Sequence, residues 1–198
     1  MFNKEAILSE MESLRLSNGA FMAAPTEDYS AKWLRDHLYI TYSYFFLGEH
    51  QKLLEGMRLT LSLFQRKYYE DKLKTQIASP TNIPEGLIHA KYDPNTLDEI
   101  TDQWGHHQLD AIGSFLFFVA DLAQNNVRVI QGEKDIETLQ LLVWYLRSVE
   151  YWHRPDFGMW EGCFIRHSSS IGAVVSGLTY LKRHGILIMP DTLIKPGH

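Results

Sequence analysis

The sequence has little of several features that mark whole classes of protein. Its 198 residues include one cysteine, Cys163, which excludes an internal disulfide framework and a multi-cysteine metal finger. Basic residues are not in excess, since 24 Asp and Glu outnumber 19 Lys and Arg, so we expect no nucleic-acid partner. No apolar run approaches the roughly 20 residues that a membrane span needs. The first residues lack the basic-then-apolar order of a signal peptide, so a cytoplasmic protein without a membrane partner is expected.

Helical periodicity dominates, and no alternating pattern is long enough to predict a strand. With 45% hydrophobic and 22% charged residues, the composition is that of an ordinary globular domain. We predict six helices, over residues 4–16, 32–47, 50–73, 107–124, 135–152 and 168–182. Residues 76–105 are predicted to form one long loop, and a loop of that length in a compact domain usually carries function.

The predicted helices alternate in character along the chain. The first, third and fifth have one polar face, whereas the second, fourth and sixth are apolar around most of their circumference and must be buried. An alternation of outer and inner helices predicts an all-α fold in which helical hairpins stack into a double-layered ring, an α/α toroid. Six helices make half of a twelve-helix ring, so we expect a single but incomplete domain over residues 1–198.

Polar and aromatic residues concentrate at the N-terminal ends of the three predicted inner helices, in residues 33–36, 102–110 and 160–161. If these helices run parallel, all three stretches lie at one mouth of the ring. The apolar faces of pyranose rings stack on Trp, and their hydroxyls need Asp, Arg, Gln and His partners. A carboxyl group beside a Trp in a water-poor pocket is expected to have a raised pKa, as a general acid requires. The sequence therefore predicts a sugar site.

Each part of this pattern also has a purely structural interpretation. Trp33 and Trp104 are of a residue type that is more common in a core than on a ligand platform. Arg35 and Asp36 could form an ion pair at a helix start, where an acidic side chain suits the helix dipole. Only their shared position at three helix starts favours a site over these interpretations.

Two other kinds of site are weaker alternatives. A metal site would use the following side chains: His89, His106, His107 and Asp110. Adjacent histidines diverge, however, and no HxxxH pair occurs, so we expect no metal and no other cofactor. Cys163 and His167 could be a nucleophile and its base, but no third group is evident that would orient the base.

Four motifs carry a family resemblance: WxRD at 33–36, HAKYD at 89–93, DQWGHHQLDA at 102–111, and FGMWEG at 157–162 ahead of a serine-rich helix start. At these motifs the sequence resembles glycoside hydrolase family 15, the glucoamylase-like family. It is most similar in its motifs to the glucoamylase-like domain of phosphorylase kinase regulatory subunits. The resemblance runs from about residue 19 to residue 181.

The resemblance implies an (α/α)₆ barrel and inverting hydrolysis of α-linked glucose from the ends of maltooligosaccharides or glucans. By motif, Glu161 corresponds to the general acid. Arg35 and Asp36 correspond to residues that grip the terminal glucose, and Trp104 and Asp110 to a stacking Trp and a polar wall residue. The other substrate-binding candidates lie in or beside the same motifs: Trp33, Lys91, His106, Gln108 and Trp160.

Two departures from the family pattern keep other functions open. His106 and His107 stand where fungal glucoamylases carry Arg-Pro, which is the pattern of the kinase subunits. An inverting hydrolase also needs a second carboxylate as base, and none is recognisable in a chain about half the length that the barrel requires. We therefore weigh a hydrolase against a non-catalytic carbohydrate-binding regulatory module and an inactive fragment. An open half-ring would expose an apolar edge, so we expect self-association or a missing C-terminal half.

Overall fold

The computed structural model describes residues 3–26, 29–81, 86–102 and 105–194, and within them the chain is mainly helical. In chain order the elements are α1 (Lys4–Ser13), β1 (Lys32–Trp33), α2 (Leu34–Leu47), α3 (His50–Gln65), α4 (Lys67–Ala78), β2 (Lys91–Tyr92), α5 (Leu109–Gln124), α6 (Glu133–Ser148), α7 (Ser168–Arg183) and a 3₁₀ turn (Asp191–Leu193). Most helix ends lie within four residues of the predicted ends.

The predicted helix over 50–73 is wrong as a single element, because the structure divides it into α3 and α4. The break falls at Arg66, whose φ of −61° and ψ of 138° are extended rather than helical. The Arg66 guanidinium donates to the carbonyl of Thr96 at 2.7 Å and to the carboxylate of Asp98 at 3.0 Å. Contacts with the distant long loop accompany the break, and no glycine or proline marks it in the sequence.

A short antiparallel ladder delays the start of the second helix. Residues 32–33 pair with residues 91–92 as β1 and β2, so α2 begins at Leu34 instead of residue 32. A two-residue strand is too short for an alternating pattern to reveal. The ladder anchors the long loop, over 79–108, directly against the start of α2.

The inner layer consists of α2, α5 and α7, with α5 in the middle. Two glycines allow α5 and α7 to touch at the backbone. A Cβ atom on Gly113 would lie 2.5 Å from the amide nitrogen of Val174, and one on Gly177 would lie 2.6 Å from the carbonyl oxygen of Gly113. Larger residues would force the two helices apart, so the small residues of the sequence have a packing role here.

The outer layer is formed by α3, α4 and α6, which pack against the inner helices and against one another. On this side Arg58 of α3 donates to the carboxylate of Asp135 of α6 at 2.9 Å. α1 lies beside α2, where the Tyr44 hydroxyl donates to the Glu12 carboxylate. In chain order the helices therefore keep the predicted alternation of outer and inner in two layers and three hairpins, α1 with α2, α3 and α4 with α5, and α6 with α7. No helix in the described part of the chain is long and apolar enough to cross a membrane.

The prediction that every inner helix is buried on all sides holds for α5 and is wrong for α2 and α7. In α5, 12 of 16 residues are buried, against 5 of 14 in α2 and 5 of 16 in α7. The physical reason is that α5 has an inner helix on each side, whereas α2 and α7 each have one. On α2 the rings of Tyr39 and Phe46 are 55% and 74% exposed.

Candidate active site

The ends of the inner helices meet around the guanidinium of Arg35, in the first turn of α2. Its Nη1 donates to Oε1 of Gln108 at 2.7 Å and to Oδ2 of Asp110 at 3.2 Å, both at the start of α5. Its Nη2 donates to Oε1 of Glu161 and to the carbonyl of Met159, each at 3.2 Å, in the loop before α7. The three predicted stretches therefore lie together at one mouth, as their positions in the sequence indicated.

The loop that carries Glu161 is closed by backbone hydrogen bonds. Asp156 and Ile165 exchange N–H···O bonds of 2.9 and 3.2 Å across the loop. The buried carboxylate of Asp156 also accepts the N–H of Leu109 at 2.9 Å, which ties the loop to the start of α5. Glu161 itself has a φ of +55°, and its Oε1 accepts a second side-chain bond from Nε2 of Gln108 at 3.0 Å. The carboxylate is thus held by two donors on a strained backbone.

Beside this network lies an open cleft of about 250 Å³, which we call the mouth cleft. Its described lining residues are Ala23, Tyr29, Trp33, Arg35, Asp36, Met159, Trp160 and Glu161. Trp33 is buried in the cleft wall, whereas Trp160 is 82% exposed at its edge. The two indoles thus offer one fixed and one solvent-facing apolar surface for a flat ligand.

The mouth carries more negative than positive charge. Three carboxyl groups, those of Asp36, Asp110 and Glu161, face one guanidinium. Burial raises the pKa of Asp36, the charges of the other two carboxyls raise it further, and Arg35 only partly offsets them. Burial likewise raises the pKa of Asp110 above its usual value, against the charge and the hydrogen bond of Arg35. The mouth therefore has carboxyl groups that hold protons more tightly than free ones.

Not every candidate residue lines the cleft. Gln108 and Asp110 are buried behind the cleft wall, where both accept hydrogen bonds from Arg35 and Gln108 also donates to Glu161. Lys91 pairs with Asp102 at 2.5 Å, and its ammonium lies 5.3 Å from the centre of the Trp33 ring. Lys91 therefore contacts the wall of the cleft. Trp104 lies outside the described residues.

His106 is in a different position from the one expected. Its ring lies 4.1 Å, centre to centre, from the ring of His89, and the lining residues that the structure describes do not include it. Burial lowers the pKa of His89 to about 3, with a further contribution from His106. This histidine pair belongs to the long loop, and neither ring is among the lining residues of the cleft that the structure describes.

Three lining residues were not among the sequence candidates. Ala23 and Tyr29 come from the segment between α1 and β1, which has no motif and no helical pattern to draw attention to it. Met159 lies inside the FGMWEG motif, but its contribution is a backbone carbonyl bonded to Arg35. Because every residue type has a backbone carbonyl, the sequence cannot indicate which residue contributes one to a site.

The structure does not arrange the residues of the two alternative sites, the metal site and the Cys163–His167 nucleophile and base, as those chemistries require. Within the described residues no group of three or more His, Cys, Asp or Glu side chains is arranged to hold a metal ion. Cys163 is exposed, and the ring of His167 contacts the backbone carbonyl of Cys163, at 3.1 Å from Nε2, instead of its thiol.

Comparison with known families agrees with this architecture. The family described as glycosyl hydrolases family 15 matches residues 5–182, which is most of the chain. The chain belongs to this family. The suspected resemblance, drawn from four motifs, is thereby confirmed.

Several relatives are regulatory proteins. The chain is 31% identical over 119 residues to the phosphorylase b kinase regulatory subunit alpha, skeletal muscle isoform, of Oryctolagus cuniculus, covering 54% of this chain and 10% of that protein. It is 27% identical over 160 residues to the liver isoform of Mus musculus, covering 71% of this chain and 12% of that protein. The chain therefore spans about a tenth of the length of these relatives.

Solved structures of glycosidases share the fold. A glycosidase variant with a Glu-to-Ala substitution matches with a TM-score of 0.76 at 21% identity, over 92% of this chain and 49% of that one. Another such variant, solved in complex with glucose, matches with the same score at 22% identity and the same coverage. Glucoamylase from Saccharomycopsis fibuligera matches with a TM-score of 0.57 at 19% identity, over 90% and 42%. The three hairpins thus correspond to about half of an (α/α)₆ glycosidase barrel, as predicted.

Proposed function

We propose that this family 15 chain binds the terminal glucose of an α-glucan or maltooligosaccharide in the mouth cleft, and contributes the general acid for its hydrolysis. The observation that carries the proposal is the hydrogen-bond network of Arg35. It joins the ends of two inner helices to Glu161 at the edge of a cleft with tryptophan walls. Such a fixed polar group beside apolar surfaces suits a ring with hydroxyl edges and C–H faces.

Each side chain has a distinct role in this proposal. Asp36, in the cleft wall, accepts hydrogen bonds from sugar hydroxyls. Trp33 and Trp160 contact the apolar faces of the sugar. Arg35 donates to the sugar and holds Glu161, while Gln108 and Asp110 fix Arg35 from behind. Glu161 protonates the glycosidic oxygen as the bond to the leaving group breaks, while in the same inverting step a second carboxylate takes a proton from the water that attacks the sugar carbon.

The second carboxylate that activates water is not recognisable in this chain. We propose that it comes from the part of a complete barrel that these three hairpins do not supply. Because the chain spans about half of the glycosidases it matches, we propose hydrolysis only for an assembly that also contains the other half of the ring.

A second function is favoured by one specific contact. Oε1 of Glu161 accepts hydrogen bonds from both Arg35 and Gln108, which suit a carboxylate, and only Oε2 could carry the proton that a general acid donates. A cleft of this kind binds sugar without cleaving it, as a carbohydrate-sensing regulatory module would. The two relatives described above are by name kinase regulatory subunits, which fits the same alternative.

Glucose release from maltooligosaccharides, measured with a protein that contains this chain, separates the two functions. Glu161→Gln should lower the rate at least about 100-fold with ligand binding nearly kept, because general acid catalysis commonly contributes roughly 10²–10⁴. Glu10→Gln, on the exposed side of α1, is the matched control and should leave the rate unchanged. A Glu161→Gln variant as fast as the wild type contradicts the catalytic role. Binding of maltose without any glucose release assigns the regulatory function.

A further inference from the structure

A second cleft lies in the outer layer, where α4 and α6 end. Its volume is about 470 Å³, within the range typical of ligand sites, and Trp144, Arg147, Glu150 and Arg154 are among its lining residues. A neighbouring cleft of about 270 Å³ shares Arg147 and Glu150 and adds Trp152. We call the two together the outer cleft. It combines two indoles with charged side chains, and neither the mechanism nor the family motifs use it.

Arg147 is exposed in this cleft with its donors available. Its guanidinium carbon lies 5.5 Å from the centre of the Trp144 ring, so the side chain is placed by an aromatic contact. Across the described ranges, 3–26, 29–81, 86–102 and 105–194, no carboxylate or carbonyl accepts a hydrogen bond from it. A pre-placed guanidinium without an acceptor is a group that a ligand could engage.

Glu150 stands beside it in a backbone conformation that favours glycine. Its φ is +51°, and the turn is closed by the N–H of Tyr151 bonding to the carbonyl of Leu146 at 3.1 Å. Helices commonly end in this way with glycine at the left-handed position. Among the described glutamates only Glu161, at the mouth cleft, shares a positive φ. Within the described part of the chain the Glu150 carboxylate has no hydrogen-bond or ion-pair partner. No contact in the fold therefore explains a glutamate, instead of a glycine, at this position.

The chemistry of this surface suits a neutral polyol. Arg147 donates, Glu150 accepts, and the indoles offer apolar faces, which together match the hydroxyls and C–H faces of a sugar. Two guanidiniums and one carboxylate line the cleft, but Arg154 already donates from Nε to the carbonyl of Val149 at 3.1 Å. An anion fits less well, because it would meet the Glu150 carboxylate and the carbonyl end of α6, which carries partial negative charge. The outer cleft is open, so it suits internal glucose units rather than a chain end.

We propose that the outer cleft is a second carbohydrate site, which binds internal segments of an α-glucan through Arg147, Glu150 and the indole of Trp144. The choice of glucan as ligand rests on the function proposed for the mouth cleft. A second site would hold a polymer near the mouth and raise the local concentration of chain ends.

The test is titration calorimetry with β-cyclodextrin, a cyclic glucan that has no chain end for the mouth cleft to grip. Arg147→Ala and Glu150→Gly should each weaken binding about 3- to 10-fold, the usual effect of losing one or two net hydrogen bonds. Arg183→Ala is the matched control, because Arg183 lies in the last turn of α7, as Arg147 does in α6, and its guanidinium carbon lies 5.7 Å from the centre of the Tyr180 ring. It should bind like the wild type. Glu150→Gly should keep or raise the melting temperature, by up to about 4 °C, since glycine suits that φ.

Two results would overturn the proposal: a wild type that does not bind β-cyclodextrin at millimolar concentration, or an Arg147→Ala variant that binds it as tightly as the wild type. Maltose binding tests the mouth cleft separately. Retained maltose binding without cyclodextrin binding overturns only the outer site, the reverse result overturns only the function proposed for the mouth, and loss of both overturns both.

Discussion

Arg35 at the mouth cleft and Arg147 at the outer cleft carry the same functional group in opposite surroundings. Arg35 makes four hydrogen bonds, to two side chains of α5 and to two groups of the loop before α7. Arg147 rests on one aromatic ring. Each lies beside a glutamate with a positive φ and beside tryptophan. The functional groups around the two arginines are therefore similar, but the Arg35 guanidinium is held by hydrogen bonds and the Arg147 guanidinium is not.

This difference in side-chain fixation indicates different modes of ligand binding in the two clefts. A guanidinium fixed by buried partners is pre-organised, so a ligand at the mouth meets one geometry with little loss of side-chain entropy. A guanidinium on a solvent-exposed ring can shift to follow a ligand of variable shape. We therefore expect tight, oriented binding at the mouth and weaker, adaptable binding on the outside.

The largest effect is expected from Arg35→Ala. The change removes the guanidinium that faces three carboxyls and leaves Asp110, which is 6% exposed, without its ion-pair partner. Breaking a buried ion pair typically costs about 3–5 kcal/mol. The free energy of unfolding from urea denaturation should fall by that amount. A loss below about 1 kcal/mol would show that the network contributes little to the fold.

Asp36→Ala should weaken ligand binding at the mouth cleft without affecting the outer cleft. It removes acceptors for sugar hydroxyls from the mouth cleft, and a hydrogen bond to a charged group is worth about 1.5–3 kcal/mol. Affinity for maltose or an acarbose-like ligand should fall roughly 10- to 150-fold in calorimetry. Binding of β-cyclodextrin should not change. Equal losses for both ligands would mean that the two clefts are not separate sites.

A pH series with Asp110→Asn tests the charge imbalance of the mouth. Burial raises the pKa of Asp110 in the folded state above its ordinary value of 3.8. Such a group contributes stability below the unfolded-state pKa, and that contribution is lost as pH rises through the folded-state pKa. The unfolding free energy of the wild type minus that of the variant should therefore decrease as pH rises from about 4. Parallel curves between pH 4 and pH 7 would contradict the raised pKa.

The smallest effect is expected from Arg147→Ala on stability. Exposed substitutions away from packed or paired groups usually change the unfolding free energy by less than about 0.5 kcal/mol. The same urea experiment that finds a large loss for Arg35→Ala should find almost none here. A loss of about 2 kcal/mol or more would mean that Arg147 is a structural residue, and it would remove the contrast between the two arginines.

Much of the architecture could be predicted from the hydrophobic pattern. The all-α class, the three hairpins and the alternation of layers follow from which helices have a polar face, and α5 is apolar all round because it lies between two inner helices. The break at Arg66 could not be predicted, since it is accompanied by contacts with Thr96 and Asp98, 30 and 32 residues away. Periodicity reports local burial and carries no information about such partners.

Some residues of the candidate site could also be predicted from the sequence, and others could not. Arg35, Asp36 and Glu161 could be found from motifs, because their side-chain types carry the chemistry and they lie at the starts of inner helices. Tyr29 and the carbonyl of Met159 could not be found, and His106 is not among the described lining residues, since its ring lies against that of His89. Residues that reach the site by chain folding alone have no sequence pattern.

The sequence by itself determined the all-α class, the order of outer and inner helices and the motifs that gather at one end, because these depend on composition and spacing along the chain. Only the tertiary structure decided that Arg35 joins Gln108, Asp110 and Glu161, and that the ends of α4 and α6 form the outer cleft. Both depend on the approach of segments about 70 to 130 residues apart. Close packing at Gly113 and Gly177 and the β1–β2 ladder bring the mouth together, and the packing of α4 against α6 forms the outer cleft. Spacing along the chain predicts the candidate residues of a site, and tertiary packing decides which of them contact one another.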